Sequence, residues 1–346
     1  MQTDNLRIAQ VHPLITPAVL EEELPLPEST ANFVKSSRTK IRDILSGRDT
    51  RFLVIVGPCS IHDPQAAVEY AQKLKELSDE VAETIFCVMR VYFEKPRTVV
   101  GWKGLINDPD LDGSYRINKG LRLARQVLLD VNEIGLPAAT EFLDTTFGQY
   151  YTDLVSWGAI GARTVESQIH RELASGLSMP VGLKNRTDGD VQVAVDAIRA
   201  AAHRHLFPSL TKEGAPAILE TLGNPDCHLV LRGGHKPNHD ADSVASTQAL
   251  LSQAGLPETV VIDCSHANAS RNGRKDANNQ SDVARSVVEQ RLQKNSGIRG
   301  IMLESHLLGG RQDVSDTLTY GMSITDPCLD FDQTSSLLLE LAGSLD

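Results

Sequence analysis

Eight short runs rich in Val, Ile and Leu, each followed by a stretch with helical spacing, constrain this chain more than any other feature of its sequence. They are FLVIVG from Phe52, TIFCVMRV from Thr84, LPAATEF from Leu136 and AIGART from Ala159. VGLKN from Val181, HLVLRG from His228, TVVIDCSH from Thr259 and IRGIMLES from Ile298 complete the set. Most are apolar without interruption, as parallel strands covered on both faces must be.

The intervening segments carry helix signals. Asp63-Pro64 offers a capping carboxylate and then a proline at the first helical position, with Ala67, Ala71, Leu74 and Leu77 following at helical spacing. Ile117, Leu121, Ala124, Leu128 and Val131 repeat the pattern, and Gly135 suits a left-handed C-terminal cap. Segments 166–176, 188–205, 240–255, 282–297 and 330–342 read similarly. This alternation predicts an α/β fold, a (β/α)8 TIM barrel. An open doubly wound sheet is the rival, but no GxGxxG follows the first strand. Residues 1–45, punctuated by Pro and an acidic EEE run, fall outside the rhythm and read as an N-terminal arm rather than a barrel unit. Residues 46–346 form the expected catalytic barrel, with an inserted hairpin at 206–224.

Charge and cysteine content narrow the function. Lys and Arg total 34 against 45 Asp and Glu, so the formal charge is −11 and a general nucleic-acid coat is excluded. Cys59, Cys87, Cys227, Cys264 and Cys328 are scattered, without CxxC, which fits neither a disulfide framework nor a zinc knuckle. No apolar run is long enough to span a membrane, and the first thirty residues lack a basic, then apolar, leader. A cytoplasmic protein with no membrane partner is expected.

The C-terminal ends of the eight runs carry, in order, Cys59, Arg90, Glu141, Arg163, Lys184, Arg232, His266 and Glu304. Barrel active sites are built from those ends, and every one of these residues has acid/base, anion-binding or metal-ligand chemistry. With Lys95, Arg97 and Lys103 nearby, the rim of an acidic protein becomes crowded with cations. Two like charges about 4 Å apart repel by roughly 4 kcal/mol at an effective dielectric near 20. Such crowding calls for a ligand with negative charge in two places, as two phosphorylated substrates would supply. Cys59, His266, Glu304 and Asp326 together form a mixed soft and hard donor set suited to Mn, Fe, Co or Zn. Each also has an ordinary structural reading: Cys59 as a small buried hydrophobe, His266 as a hydrogen-bonded core residue. The residues alone leave both readings open.

Longer motifs add a resemblance. Gly57-Pro58-Cys59-Ser60-Ile61-His62, the stretch Tyr92 to Thr98 running on into VVGWKGLINDPD, Gly158 to Arg163, LRGG at Leu231 and DCSH at Asp263 resemble 3-deoxy-D-arabino-heptulosonate 7-phosphate (DAHP) synthase of the type I alpha group. The likeness covers essentially the whole chain. It implies metal-dependent condensation of phosphoenolpyruvate with erythrose 4-phosphate, the first step of the shikimate pathway to aromatic amino acids. It implies metal ligation by Cys59, His266, Glu304 and Asp326, with Mn favoured. Phosphoenolpyruvate would meet Arg90, Lys103, Ala162, Arg163, Lys184 and Arg232, and erythrose 4-phosphate would meet Lys95, Pro96, Arg97 and Thr98. Catalytic roles fall to Lys95, Glu141, Lys184 and His266.

The resemblance also implies feedback inhibition by an aromatic amino acid, Tyr or Phe before Trp, a homodimer or homotetramer, and an interface or regulatory role for the N-terminal arm. The matching effector region includes Asp4, Asn5, Leu173, Ser178, Phe207 and Ser209, although Leu173 and Phe207 also read as core and Ser178 as a helix-end residue. Arg186, Ala267 and His235 depart from the family pattern, where Gly, Gly and Lys are usual. Three rivals stand beside this reading. One is the related octulosonate 8-phosphate synthase reaction; another is an inactive amino-acid-sensing partner; the third is a metal-independent aldolase using a Schiff base on Lys184.

Overall fold

The structure, a computed structural model, describes residues 3–97, 99–271, 274–293, 295 and 297–346. Eight parallel strands close into a barrel: β1 Phe52–Gly57, β2 Ile85–Arg90, β3 Ala138–Glu141, β4 Trp157–Ile160, β5 Val181–Lys184, β6 Cys227–Leu231, β7 Val260–Asp263 and β8 Ile298–Glu304. Each pairs with its neighbours in chain order, and β8 pairs with β1 to close the ring, Gly57 lying opposite Glu304. The expected (β/α)8 fold is the one observed. The inserted hairpin is present as antiparallel strands Leu206–Leu210 and Pro216–Glu220.

Nine α-helices lie among the described residues. Two precede the barrel, α1 Pro17–Glu23 and α2 Glu28–Ser46, and six follow as α3 Pro64–Glu80, α4 Ile117–Ile134, α5 Gln168–Gly176, α6 Gln192–Ala201, α7 Ala241–Gln253 and α8 Asn279–Leu292. The last, α9, spans Phe331–Leu345. The caps are those the sequence suggests. Asp63 accepts from the N–H groups of Gln65 and Ala66, Asp330 forms a capping box with Gln333, and Gly135 adopts φ +94°.

Several elements are shorter than the runs predict. β4 stops at Ile160 because Gly161 turns the chain, its carbonyl accepting from Thr164 and Val165. β7 stops at Asp263, whose Oδ1 accepts from the Ser265 N–H at 3.0 Å and curls the chain inward. α6 starts at Gln192 rather than near Asp188, since Asp188 and Asp190 spend their carboxylates on the N–H groups of Asp190 and Gln192 in successive tight turns.

Two apolar layers follow from strand alternation. Outward residues pack beneath the helices, and inward residues fill the barrel. Within the N-terminal segment, α2 buries Ile41, Ile44 and Leu45 against the inward set Leu53, Ile55, Val88, Trp157, Val230, Val261 and Met302, sealing the bottom of the barrel. Trp157 donates its indole N–H to His228 Nε2 at 3.1 Å. Burial pushes His228 down to about 4, so it is neutral and able to accept. The extended residues before α1 are strapped down by Tyr150, whose hydroxyl donates to the Ile15 carbonyl, and by Asn118, which bonds the backbone of Ile15 and Pro13. No helix of the described residues is long and apolar enough to cross a membrane.

Gly182 makes room for Trp157. A Cβ there would stand 2.3 Å from the indole Cζ2 and 2.7 Å from a Val230 methyl, both fully buried. Gly182→Ala is expected to cost about 1–3 kcal/mol through overpacking, read as a lowered urea midpoint at unchanged slope. A wild-type midpoint would show that this interior is less tightly filled than the contacts require.

Candidate active site

The strand ends converge on an open cavity of about 550 Å³ at the C-terminal mouth of the barrel. Its wall contains Cys59, Lys95, Pro96, Arg97, Glu141, Ala162, Arg163, Lys184, Arg232, His266 and Asp326. Arg90 and Glu304 lie beneath this wall, each 1% exposed. Lys103 is not brought into it; the side chain is exposed, with its ammonium 5.9 Å over the Tyr115 ring, while its carbonyl accepts from the Lys95 N–H. Thr98 lies outside the described residues.

Acidic and cationic groups alternate across the floor. Lys95 Nζ is 3.1 Å from Cys59 Sγ, and Arg90 Nη2 is 3.2 Å from Glu304 Oε1. Lys184 Nζ is 2.7 Å from Asp263 Oδ2, and Lys275 Nζ is 2.6 Å from Asp326 Oδ2. Arg90 is further fixed by the Tyr92 ring, 4.0 Å from its guanidinium carbon. Burial pushes the Cys59 thiol up, Glu304 adds to this, and Lys95 opposes it. Burial works against the charge on Asp326, but Lys275 and His266 outweigh it and hold that carboxyl down at about 2.

The donor set passes a test for a metal ion. Ligand atoms of Cys59, Glu304 and Asp326 all lie within 4.8 Å of one another. His266 stands beside them, Nε2 being 3.9 Å from Glu304 Oε1, while Nδ1 is 2.9 Å from Asp263 Oδ2. Burial lowers the His266 pKa, which favours the neutral ring that a metal needs. The Glu304 and Asp326 carboxylates repel at this distance, and a divalent cation between them and the Cys59 sulfur would offset that repulsion.

Several residues of the site lie beyond the expected set: Lys275, Trp102, Gly161 and Arg311 in the wall, and Asp263 buried beneath it. Asp263 is the last residue of β7 and could have been found by the rule that picked Arg90 and Glu304. Lys275 and Arg311 sit in short strands outside the barrel, Arg274–Lys275 and Leu308–Arg311, too brief for any periodicity to announce them. Gly161 matters for what it lacks, since a Cβ there would meet Glu141 Oε1 at 2.1 Å.

The expected effector residues gather in part. Leu173 packs on the core from α5, Ser178 is exposed just after that helix, and Phe207 and Ser209 face the other hairpin strand opposite Leu219 and Ala217. Ser175 and Thr221 join hairpin to helix through a 2.7 Å hydroxyl contact. Asp4 and Asn5 are exposed and bond to each other. Of the departures, Arg186 spans two loops, bonding Asp188 and, at 2.8 Å, Glu166; the His235 N–H donates to the Asp188 carbonyl; Ala267 abuts Gly233.

Residues 26–339 match the DAHP synthetase I family. The chain belongs to that family. It is 54% identical over 346 residues to the Phe-sensitive phospho-2-dehydro-3-deoxyheptonate aldolase of Escherichia coli, covering 99% of this chain and 98% of that one. The Trp-sensitive aldolase of the same organism is 52% identical over 347 residues, covering 100% of this chain and 99% of the relative. A solved phospho-2-dehydro-3-deoxyheptonate aldolase from Francisella tularensis superposes with a TM-score of 0.95 at 51% identity, covering 98% of each chain. The chain is thus an enzyme of the DAHP synthase type.

Beneath the Lys95 loop, Glu94 is 3% exposed and accepts from the Asp144 N–H through both oxygens at 3.3 Å. Burial, then the charge on Asp144, pushes its carboxyl up to about 8. The folded protein therefore holds a proton that the unfolded chain releases above about pH 4.3, and this stability is lost as pH rises toward 8. Glu94→Gln, which cannot ionise, should gain melting temperature relative to wild type on going from pH 5.5 to pH 9. A constant difference at both pH values would show that Glu94 stays charged.

Proposed function

We propose that the enzyme condenses phosphoenolpyruvate with D-erythrose 4-phosphate and water to give DAHP and inorganic phosphate, using a divalent metal ion held by Cys59, His266, Glu304 and Asp326. The observation that carries this reading is one cavity in which Lys95, Arg97, Arg163, Lys184 and Arg232 stand above a tight cluster of acidic donors. The five cations suit two separate anionic substrates, and the cluster suits a cation. Mn is favoured, with Fe, Co or Zn also matching the donors.

When bound, the metal ion supplies Lewis-acid polarisation of an aldehyde oxygen. The protein's own residues do the remainder. Arg163, Lys184 and Arg232 bind the enolpyruvate carboxylate and phosphate, and Arg97 with Thr98 binds the phosphate of the sugar, setting the two carbons face to face. A carbon–carbon bond forms from C3 of the enol to the aldehyde carbon. Lys95, held beside Cys59, gives its proton to the oxygen that becomes an alkoxide. Water adds at C2 with its proton passing to Glu141, and the hemiketal phosphate then loses inorganic phosphate by C–O cleavage. Lys184 Nζ donates to the buried Asp263 carboxylate at 2.7 Å, a contact that counts against its serving as a Schiff-base nucleophile.

Feedback inhibition by an aromatic amino acid is part of the proposal, with Asp4, Asn5, Leu173, Ser178, Phe207 and Ser209 as the effector region of a cytoplasmic homodimer or homotetramer. The Phe-sensitive and Trp-sensitive names of the relatives support an aromatic effector.

Phosphate release by the purified protein should require both substrates, stop with EDTA, return on adding Mn, and be lost in Cys59→Ala. Release from phosphoenolpyruvate alone, or full turnover by Cys59→Ala, would contradict the reading. Gly161→Ala provides a check on Glu141. The new methyl displaces the end of a flexible side chain, so turnover should fall on the order of 10²-fold with the melting temperature retained. Wild-type turnover would remove Glu141 from the mechanism.

A further inference from the structure

We propose that Asp263 is a positioning residue that couples the metal site to the enolpyruvate site, one buried carboxylate orienting both His266 and Lys184. The proposal rests on the function just described. Asp263 is fully buried at the end of β7 and does not line the cavity.

Its two oxygens are fully used. Oδ2 is 2.7 Å from Lys184 Nζ and 2.9 Å from His266 Nδ1. Oδ1 accepts from the Ser265 N–H at 3.0 Å and from the Ser265 hydroxyl at 2.9 Å. His266 Nδ1 also lies 2.6 Å from the Ser265 hydroxyl; that hydroxyl gives its proton to Asp263 Oδ1 and an ionised carboxylate only accepts, so Nδ1 of His266 carries the proton and Nε2, on the Glu304 side, is bare. That is the tautomer a metal ligand requires, and the carboxylate–imidazole pair also raises the basicity of the ligand nitrogen. His266 has φ +55°, a left-handed backbone uncommon for a side chain of this size. The hydrogen bonds from Ser265 to Asp263 hold that turn in place.

Lys184 reaches the same oxygen from β5, across β6. One acceptor therefore serves two donors with different tasks. A cation on Nε2 makes the His266 N–H a stronger donor and draws Asp263 toward it. The hold on the Lys184 ammonium weakens, leaving that ammonium freer to meet an anionic substrate. By linkage the reverse holds equally: a substrate anion that takes up Lys184 returns Asp263 to His266 and strengthens the metal site. Asp263→Asn keeps the shape but breaks this arrangement. Its amide has one oxygen to offer. If that oxygen takes the place of Oδ2, it offers Lys184 and His266 only a neutral acceptor while the NH2 confronts the Ser265 N–H. If it takes the place of Oδ1, the NH2 confronts both Lys184 and His266 Nδ1 and favours the proton on Nε2.

The test is binding, not turnover. Mn(II) affinity is read by equilibrium dialysis with metal analysis, with and without saturating phosphoenolpyruvate. Phosphoenolpyruvate affinity is read by calorimetry with and without Mn(II). In wild type each ligand should tighten the other by the same factor, about 5-fold or more. Asp263→Asn, confirmed folded by a cooperative melt, should bind Mn(II) about 10- to 100-fold more weakly and show a mutual factor near one. Wild-type protein without mutual tightening would overturn the proposal with no variant needed. So would an Asn variant that keeps the wild-type Mn(II) affinity or the wild-type factor. Failure of wild type to bind Mn(II) at all, or to release phosphate with it, would instead overturn the functional reading on which the proposal stands.

Discussion

Charge pairing under the mouth of a closed barrel is the constraint on which the rest of this structure depends. Arg90 and Glu304 are each 1% exposed, Lys184 is 4% exposed and Asp263 is fully buried. Removing one member of a buried pair costs about 3–5 kcal/mol, because the other charge is left uncompensated. Each carboxylate of the floor is therefore set against a cation, Glu304 with Arg90, Asp263 with Lys184 and Asp326 with Lys275, while Lys95 donates to the Cys59 sulfur. This pattern separates two regions of opposite character within one cavity. The acidic groups gather low, where a metal ion fits. Arg97, Arg163 and Arg232 stand in the wall, where anionic substrates fit.

The lower half of the barrel is built to hold that arrangement still. Trp157 fills the interior against Gly182 and Val230, and α2 closes the floor with Ile41, Ile44 and Leu45. A densely packed, dry interior transmits strain and leaves strand ends few alternative positions. The N-terminal segment thus has two physical tasks. Its helix α2 belongs to the apolar core, whereas the extended residues before α1 are attached by hydrogen bonds from Tyr150 and Asn118. The effector proposal draws Asp4 and Asn5 from the second stretch.

The strands and most helix caps were legible in the sequence because burial on both faces makes parallel strands continuous apolar runs, and because Asp63-Pro64 and Gly135 act locally. The direction of strand-end residues was legible for the same reason. What the sequence did not convey is depth. Arg90 and Arg163 look alike as strand-end arginines, yet one is beneath the cavity with Glu304 and the other is in its wall. Lys103 lies among the substrate motifs, but its side chain turns to Tyr115. Asp263 was overlooked beside His266 because both belong to one short motif, and only the turn after β7 reveals which points down and which points across. Lys275 approaches Asp326 from 51 residues away, a pairing that no local pattern encodes.

In the proposed site Cys59, His266, Glu304 and Asp326 hold one divalent ion beneath a cationic substrate cavity. Anomalous diffraction from crystals grown with Mn(II) and phosphoenolpyruvate, recorded on both sides of the manganese edge, tests it most directly. A single strong peak is expected, bonded to Cys59 Sγ, His266 Nε2 and the carboxylates of Glu304 and Asp326, with the enolpyruvate phosphate against Arg163 and Arg232. A peak bound by other residues, or no peak among these four at saturating Mn(II), would contradict it.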